Sequence, residues 1–328
     1  MSRVILRRLL GGFAFVALAA MIAGGYAYYA YRTSTPPVYA AADAPAAGPL
    51  HIPGAPRLAL VLSSGGGRGY AHVGVLKVLD AAGIRPDLVV GTSVGALIGA
   101  LYASGLAPGE IERRALAFDY FSIRDFTLSR YGELTGEALQ RFVNDAVGAR
   151  PIQALEIAFA VVAADLSTGA MAVFTRGNTG AAVRASAATP GTVVPLRIGA
   201  ALYSDGDIVS PLPVRAARRL GALRVIAVDV SADPAVAPLD EIPVTWAADA
   251  VTRRALIESE APEADVIIRP KLPYYVPHTR AYKEMAIARG EEAARTALPR
   301  LLALWAASRR GAPAIAGSPD RQPHVRRP

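Results

Sequence analysis

A mainly parallel β-sheet covered by helices on both faces is the α/β architecture this chain predicts, and three observations predict it. From Arg57 onward, short apolar runs alternate with helical patterns, the order expected when crossover helices join parallel strands. Two of those runs lead through glycine-rich turns straight into helices. With 328 residues and 52% hydrophobic content, the chain has ample length for one large α/β domain with appendages.

The elements follow in order. Leu58 to Leu62 and Leu88 to Val90 read as strands, and Ala71 to Ala82 and Val94 to Ser104 as the helices after them. Pro108 to Phe118 and Gly136 to Val147 have amphipathic helical spacing. Ile157 to Ala164 and Ala170 to Thr175, separated by a Ser-Thr-Gly turn, read as a hairpin. A basic amphipathic helix over Pro213 to Leu220 precedes a strand at Arg224 to Val230. A last strand is expected at Val266 to Arg269. A closing helix runs from about Lys283 to Ser308, with a kink expected at Pro299. Internal repeats are absent from the sequence, and the Pro-rich tail from Gly311 carries no fold signal.

Three segments carry chemistry. Gly91-Thr92-Ser93-Val94-Gly95 is a G-x-S-x-G pentapeptide between a strand pattern and a small-residue helix pattern, the layout of a nucleophile elbow. Glycines at the flanks let the backbone bend without a Cβ clash, and Ser93 then stands at a helix N-terminus, where free N–H groups favour developing negative charge. Taken by itself, the pentapeptide also fits an ordinary βα turn. One βα unit earlier, Gly65-Gly66-Gly67-Arg68-Gly69 offers several bare N–H groups to one point, as the oxyanion of an acyl transfer requires. A dinucleotide or phosphate cradle is the competing use of such a loop. Against it, Ser64 stands where the first glycine of G-x-G-x-x-G belongs, and Asp87 opens the second strand instead of closing it. The third segment is Tyr203-Ser204-Asp205-Gly206-Asp207, running on to Pro213. An isolated Asp-Gly pair would be a turn.

Together, these segments resemble the patatin-like phospholipase family, and within it the bacterial members. The likeness takes in Arg68 to Leu76, the middle segment Val162 to Gly169, the stretch Arg184 to Pro195 and the Asp-Gly segment into Pro213. It extends over roughly Arg57 to Arg300. The resemblance implies a three-layer patatin-like fold with Ser93 as nucleophile and Asp205 as its only catalytic partner. It makes the Gly65, Gly66, Gly67 and Arg68 backbone the oxyanion hole, Gly91 and Gly95 the elbow glycines, and Asp205-Gly206 the Asp-Gly motif. Two positions depart from the family pattern. Ser64 replaces the first glycine of the glycine motif, and Asp207 stands where Gly or Ala is common after Asp-Gly. Asp207 either raises the Asp205 pKa by like-charge repulsion or faces solvent.

Other reactive side chains are less well placed. His51 and His324 lie in the linker and tail. His72 follows the glycine loop and is expected to pack or bond locally. His278 follows Asp205 in the Ser…Asp…His order of α/β-hydrolases, but its Tyr-Tyr-Val-Pro-His-Thr surroundings read as a loop. Arg68 either binds a substrate phosphate or ties its loop to a carboxylate, and Asp229, at a strand end, is expected to cap the next segment. His, Asp and Glu show no metal-ligand spacing, so neither a metal nor a cofactor is expected. Cysteine is absent, which excludes disulfides and a thiolate nucleophile.

The net charge of +8 comes wholly from the ends: Arg3, Arg7, Arg8 and Arg32, then Arg309, Arg310, Arg321, Arg326 and Arg327, less Asp320. A neutral body gives no basic face for nucleic acid; the partner that the resemblance implies is a lipid substrate at a membrane surface. Leu9 to Tyr31 carries no charge and, at about 1.5 Å per residue, is long enough for a bilayer core of roughly 30 Å. The arginine asymmetry around it predicts an N-terminal anchor (residues 1–32) in the bacterial inner membrane, with the domain on the periplasmic side. A signal peptide cleaved near Ala40-Ala41-Ala42, giving a secreted or periplasmic protein, is the alternative. Residues 33–56, rich in Ala and Pro, read as a linker. Residues 57–308 read as the patatin-like domain and 309–328 as a basic tail. The expectation is a serine lipid acyl hydrolase acting on phospholipid or lysophospholipid esters. Its alternatives are an esterase or thioesterase with a Ser-His-Asp triad, and a catalytically silent lipid-binding scaffold.

Overall fold

The computed structural model describes residues 3–309 except 41, 51–53, 234 and 237–241, and of residues 3–15 and 18 it describes the backbone alone. The tail expected from 309 therefore lies, Arg309 apart, outside the described residues, as do His51 and His324.

After α1 (Arg3–Thr33), the domain begins with β1 (Leu58–Leu62), a 3-10 turn (Gly66–Gly69), α2 (Tyr70–Ala81), β2 (Leu88–Thr92) and α3 (Val94–Ala103). Then come α4 (Pro108–Ala117), α5 (Glu137–Ala146), β3 (Ala158–Asp165), β4 (Ala170–Phe174) and α6 (Thr179–Ser186). The chain continues through β5 (Leu196–Ile198), β6 (Ala201–Asp205), α7 (Val214–Arg219), β7 (Arg224–Val228), α8 (Val244–Glu260), β8 (Val266–Ile268) and α9 (Arg280–Arg309). One sheet takes the order β5-β6-β3-β2-β1-β7-β8, with β4 paired to β3 outside that path. The run β3-β2-β1-β7-β8 is parallel throughout, and β4, β5 and β6 join antiparallel.

Alternation along β1 sets the layers. Leu58, Leu60 and Leu62 face one core with residues of α2, α3 and α9, while Ala59 and Val61 face a second core with Leu212, Val214 and Ile257. Truncating wholly buried Leu60 to Ala would cost about 2–5 kcal/mol. Asp87 accepts from the N–H groups of Arg57 and Leu58, each at 2.9 Å, and so fixes the entry of β1. Chain order reverses at β1, between β2 and β7, and such switch points open a crevice at strand C-terminal ends. The glycine turn leaves β1 at that crevice.

The expected strands and helices up to the hairpin are present with ends shifted by a few residues. Four elements were not expected: α6, β5, β6 and α8. Pro299 lies inside one continuous helix, α9; its missing N–H did not divide the helix at that point. Residues of the expected linker bond to the domain: Tyr39 N–H donates to Arg197 O at 2.7 Å, and Ala46 N–H to Arg176 O at 3.1 Å.

The membrane expectation is corrected. Among the described residues no helix is long and apolar enough to cross a membrane, so an anchor spanning the inner membrane, and a periplasmic location argued from it, are not supported. Residues 9–15 of that segment lie outside the described side chains.

Candidate active site

Ser93 occupies the sharp joint between β2 and α3, with φ 55° and ψ −121°, a left-handed conformation costly for a residue with a side chain. The surroundings hold it there. Its N–H donates to Ser186 Oγ at 2.8 Å, and that hydroxyl donates to Val162 O at 2.5 Å. A Cβ on Gly95 would run into the carbonyl of Leu62, and one on Gly91 into the backbone of Gly95 and Ala96. Both flanking glycines are therefore demanded by close backbone approach.

Sheet register delivers the carboxylate. The first residues of β3 pair with β2, Val162 opposite Thr92, and its last residues pair with β6, Ala163 opposite Asp205. Asp205 thus arrives at the C-terminal end of β2, and Ser93 Oγ donates to its Oδ2 at 3.0 Å. Thr189 Oγ1 donates to the same oxygen at 3.1 Å, and the Asp207 N–H to Oδ1 at 2.9 Å. Burial, seconded by the Asp207 charge, pushes the Asp205 carboxyl up to about 7, against the lowering effect of those three hydrogen bonds.

The glycine turn comes from the crevice at β1. Gly66 and Gly67 head the 3-10 turn, where N–H groups have no intrahelical acceptor. Both residues line the two cavities that reach Ser93. The Arg68 N–H instead donates to Gly65 O at 3.2 Å, which removes it from the expected oxyanion donors. Its guanidinium donates to Val230 O and Tyr274 O, each at 3.1 Å. Arg68 therefore ties the loop to backbone carbonyls, where a carboxylate or a substrate phosphate was expected. Burial lowers it to about 10.

The histidines stand apart from the serine–carboxylate pair. His72 is buried, hydrogen-bonded through Nε2 to Ser63 O at 2.9 Å, and lowered by burial to about 4. His278 stacks on Tyr120 with ring centroids 4.0 Å apart. Asp229 accepts from Ser231 and pairs with Arg269 at 3.2 Å, as a strand-end cap does. Sequence reasoning assigned no role to Thr189, Ser186 or Arg253. The first two lie in the Arg184 to Pro195 stretch, whose likeness to the family was the available signal.

Two cavities meet at Ser93, Gly66, Gly67 and Thr189. One, of about 250 Å³, is walled largely by apolar side chains, among them Val94, Leu97, Leu101 and Phe142. The other, of about 770 Å³, has Arg253, Arg254, Asp249 and Tyr274 in its wall.

Residues 60–218 match the family model described as patatin-like phospholipase. An uncharacterized NTE family protein of Mycobacterium tuberculosis is 37% identical over 195 residues, which cover 58% of this chain and 54% of that one. Human patatin-like phospholipase domain-containing protein 6 is 36% identical over 181 residues, covering 53% of this chain and 13% of that protein. The chain thus spans about half the length of the first relative and a small part of the second. Among solved structures, VipD from Legionella pneumophila shares the fold, with a TM-score of 0.52 at 13% identity over 74% of this chain and 66% of that one. The class defined by fold and matches is an α/β protein with a patatin-like phospholipase domain. Over residues 60–218 the chain belongs to the patatin-like phospholipase family.

Proposed function

We propose that residues 57–308 form a serine lipid acyl hydrolase that cleaves fatty-acyl esters of phospholipids or lysophospholipids with a Ser93–Asp205 dyad. The observation that carries this reading is the 3.0 Å hydrogen bond from Ser93 Oγ to a buried carboxylate, with neither His72 nor His278 bonded to either residue. Ser93 Oγ attacks the ester carbonyl carbon as its proton passes to Asp205 Oδ2. The carbonyl oxygen becomes an oxyanion, and the N–H groups of Gly66 and Gly67 receive it. Collapse breaks the bond to the alcohol, which leaves with the proton held by Asp205. Water, deprotonated by the same carboxylate, then releases the fatty acid and restores Ser93.

The apolar cavity of about 250 Å³ suits the acyl chain, and the wider cavity carrying charged side chains suits the polar part of the leaving group. A fluorophosphonate probe tests the reading. Covalent labelling at Ser93, together with release of fatty acid from phospholipid vesicles, is the expected result. A wild-type chain that takes no label and releases no fatty acid would instead be a silent lipid-binding protein.

A further inference from the structure

The two departures from the family pattern, Ser64 and Asp207, are in direct contact. Ser64 follows β1 and opens the glycine loop, and Asp207 lies two residues past Asp205. The Ser64 hydroxyl donates to Asp207 Oδ1. A third residue closes the set from α8, a helix beyond the residues matched by the family model. Arg253 Nε pairs with Asp207 Oδ1 at 2.7 Å, and Arg253 Nη2 donates to Ser64 O at 2.6 Å and to Ser64 Oγ at 2.8 Å. The Ser64 hydroxyl, accepting from Arg253, has its own hydrogen free for Asp207, so donors and acceptors run in one consistent direction.

The arrangement is a built one. The Arg253 side chain is 13% exposed, and its guanidinium spans from the backbone of the loop that offers the oxyanion donors to the turn that carries Asp205. A planar fork with several donors suits such a bridge better than an ammonium group. The charges around Asp207 are Arg253 from α8, Asp205 from the end of β6, and Arg68 from the glycine loop, with Asp249 and Arg254 of α8 in the wall of the same cavity. Arg68 is already committed to two carbonyls, which leaves Arg253 as the cation paired with Asp207.

We propose that Arg253 is a positioning residue. Through Ser64 and Asp207 it holds the glycine loop at a fixed distance from the Asp205 turn, and it offsets the negative charge that Asp207 would otherwise impose on Asp205. The proposal rests on the Ser93–Asp205 reading above. Under it, Ser64 and Asp207 are a matched pair that the α8 arginine completes. Changing Ser64 or Asp207 alone breaks a circuit, whereas changing Arg253 leaves a carboxylate uncompensated beside the base.

The test is the pH profile of kcat/KM from pH 5 to pH 9 on a soluble p-nitrophenyl ester, using the full chain and its Arg253→Met, Arg253→Lys, Asp207→Asn and Arg253→Met/Asp207→Asn variants. With Arg253→Met, the acidic limb should move up by about one pH unit, a loss of about tenfold at pH 6 that narrows toward pH 9. Asp207→Asn should move the limb down. The double variant should return the limb to the wild-type position or below it. Arg253→Lys should hold the limb near its wild-type place, with turnover lowered at every pH. Equal loss across the whole range for Arg253→Met, unrelieved by Asp207→Asn, would overturn the proposal and leave Arg253 a structural side chain only. If Arg253→Met fails to fold by circular dichroism, Asp207→Asn decides alone, since an unmoved limb contradicts charge coupling. Ser93→Ala and Asp205→Asn are run in parallel: activity surviving in either refutes the dyad itself, an outcome separate from any behaviour of Arg253.

Discussion

Asp205 stands one register step beyond Thr92 along β3, opposite Ala163 where Thr92 is opposite Val162. That single step brings a carboxylate from an antiparallel strand to the end of a parallel one, within 3.0 Å of the residue after Thr92. Neither loop flexibility nor a shared helix is needed.

The first prediction follows from this contact. Ser93→Ala and Asp205→Asn should each lower kcat by at least about a thousandfold, as loss of a catalytic nucleophile or base does. His72→Ala and His278→Ala should retain most turnover wherever they fold. Fatty-acid release from phospholipid vesicles measures all four, and a His278→Ala variant as inactive as Ser93→Ala would replace the dyad with a triad.

A second concerns pH. On the proposed mechanism Asp205 acts in its ionised form, and burial with the Asp207 charge holds its carboxyl up to about 7. The rate should therefore rise with pH through neutrality and be depressed at pH 5. A free aspartate, at about 3.9, would keep the rate high at pH 5, and a flat profile from pH 5 to pH 8 would show that the base is not Asp205 in this environment.

Stability should move the opposite way to activity. The unfolded chain releases the Asp205 proton near pH 4, whereas the folded chain keeps it to about pH 7. Over that interval the native state binds the extra proton, so the stability contributed by this group falls as pH rises from about 4 to about 7 and stays low above it. Asp205→Asn removes the ionisation. Its thermal midpoint should exceed that of the wild type at pH 8, by an amount of order 1–4 kcal/mol in unfolding free energy, and the difference should shrink toward pH 4. Equal differences at both pH values would contradict the linkage.

Arg68 supplies a fourth test. Its guanidinium is occupied by Val230 O and Tyr274 O, so Arg68→Ala should loosen the glycine loop and lower kcat alike for a neutral ester and for a lysophospholipid. A loss confined to KM for the phosphate-bearing substrate would restore the phosphate-binding role.

Legibility in the sequence tracks how local each signal is. β1, β2, α2 and α3 have periodic patterns punctuated by glycine, and the elbow and glycine turn lie within them, so Ser93, Gly66 and Gly67 could be named before any fold was known. α6 could not, because Thr179 to Ser186 is buried along its whole length and shows no polar face to set a helical period. β5 and β6 are three and five residues long, and only pairing makes them strands, β5 with β6 and β6 with β3. Arg253 lies 189 positions from Ser64 in a helix that itself went unread. Nothing in its neighbours marks it, and the sheet crevice brings the two together.

The close approach of Gly95 to the Leu62 carbonyl has a dynamic meaning. The helix that begins after Ser93 abuts the end of the strand from which the glycine turn departs, so on the proposed mechanism serine and oxyanion donors belong to one stiff joint and are in place before a lipid arrives. Gating, where turnover requires it, is then left to the cavity walls, and catalytic assembly needs no induced fit.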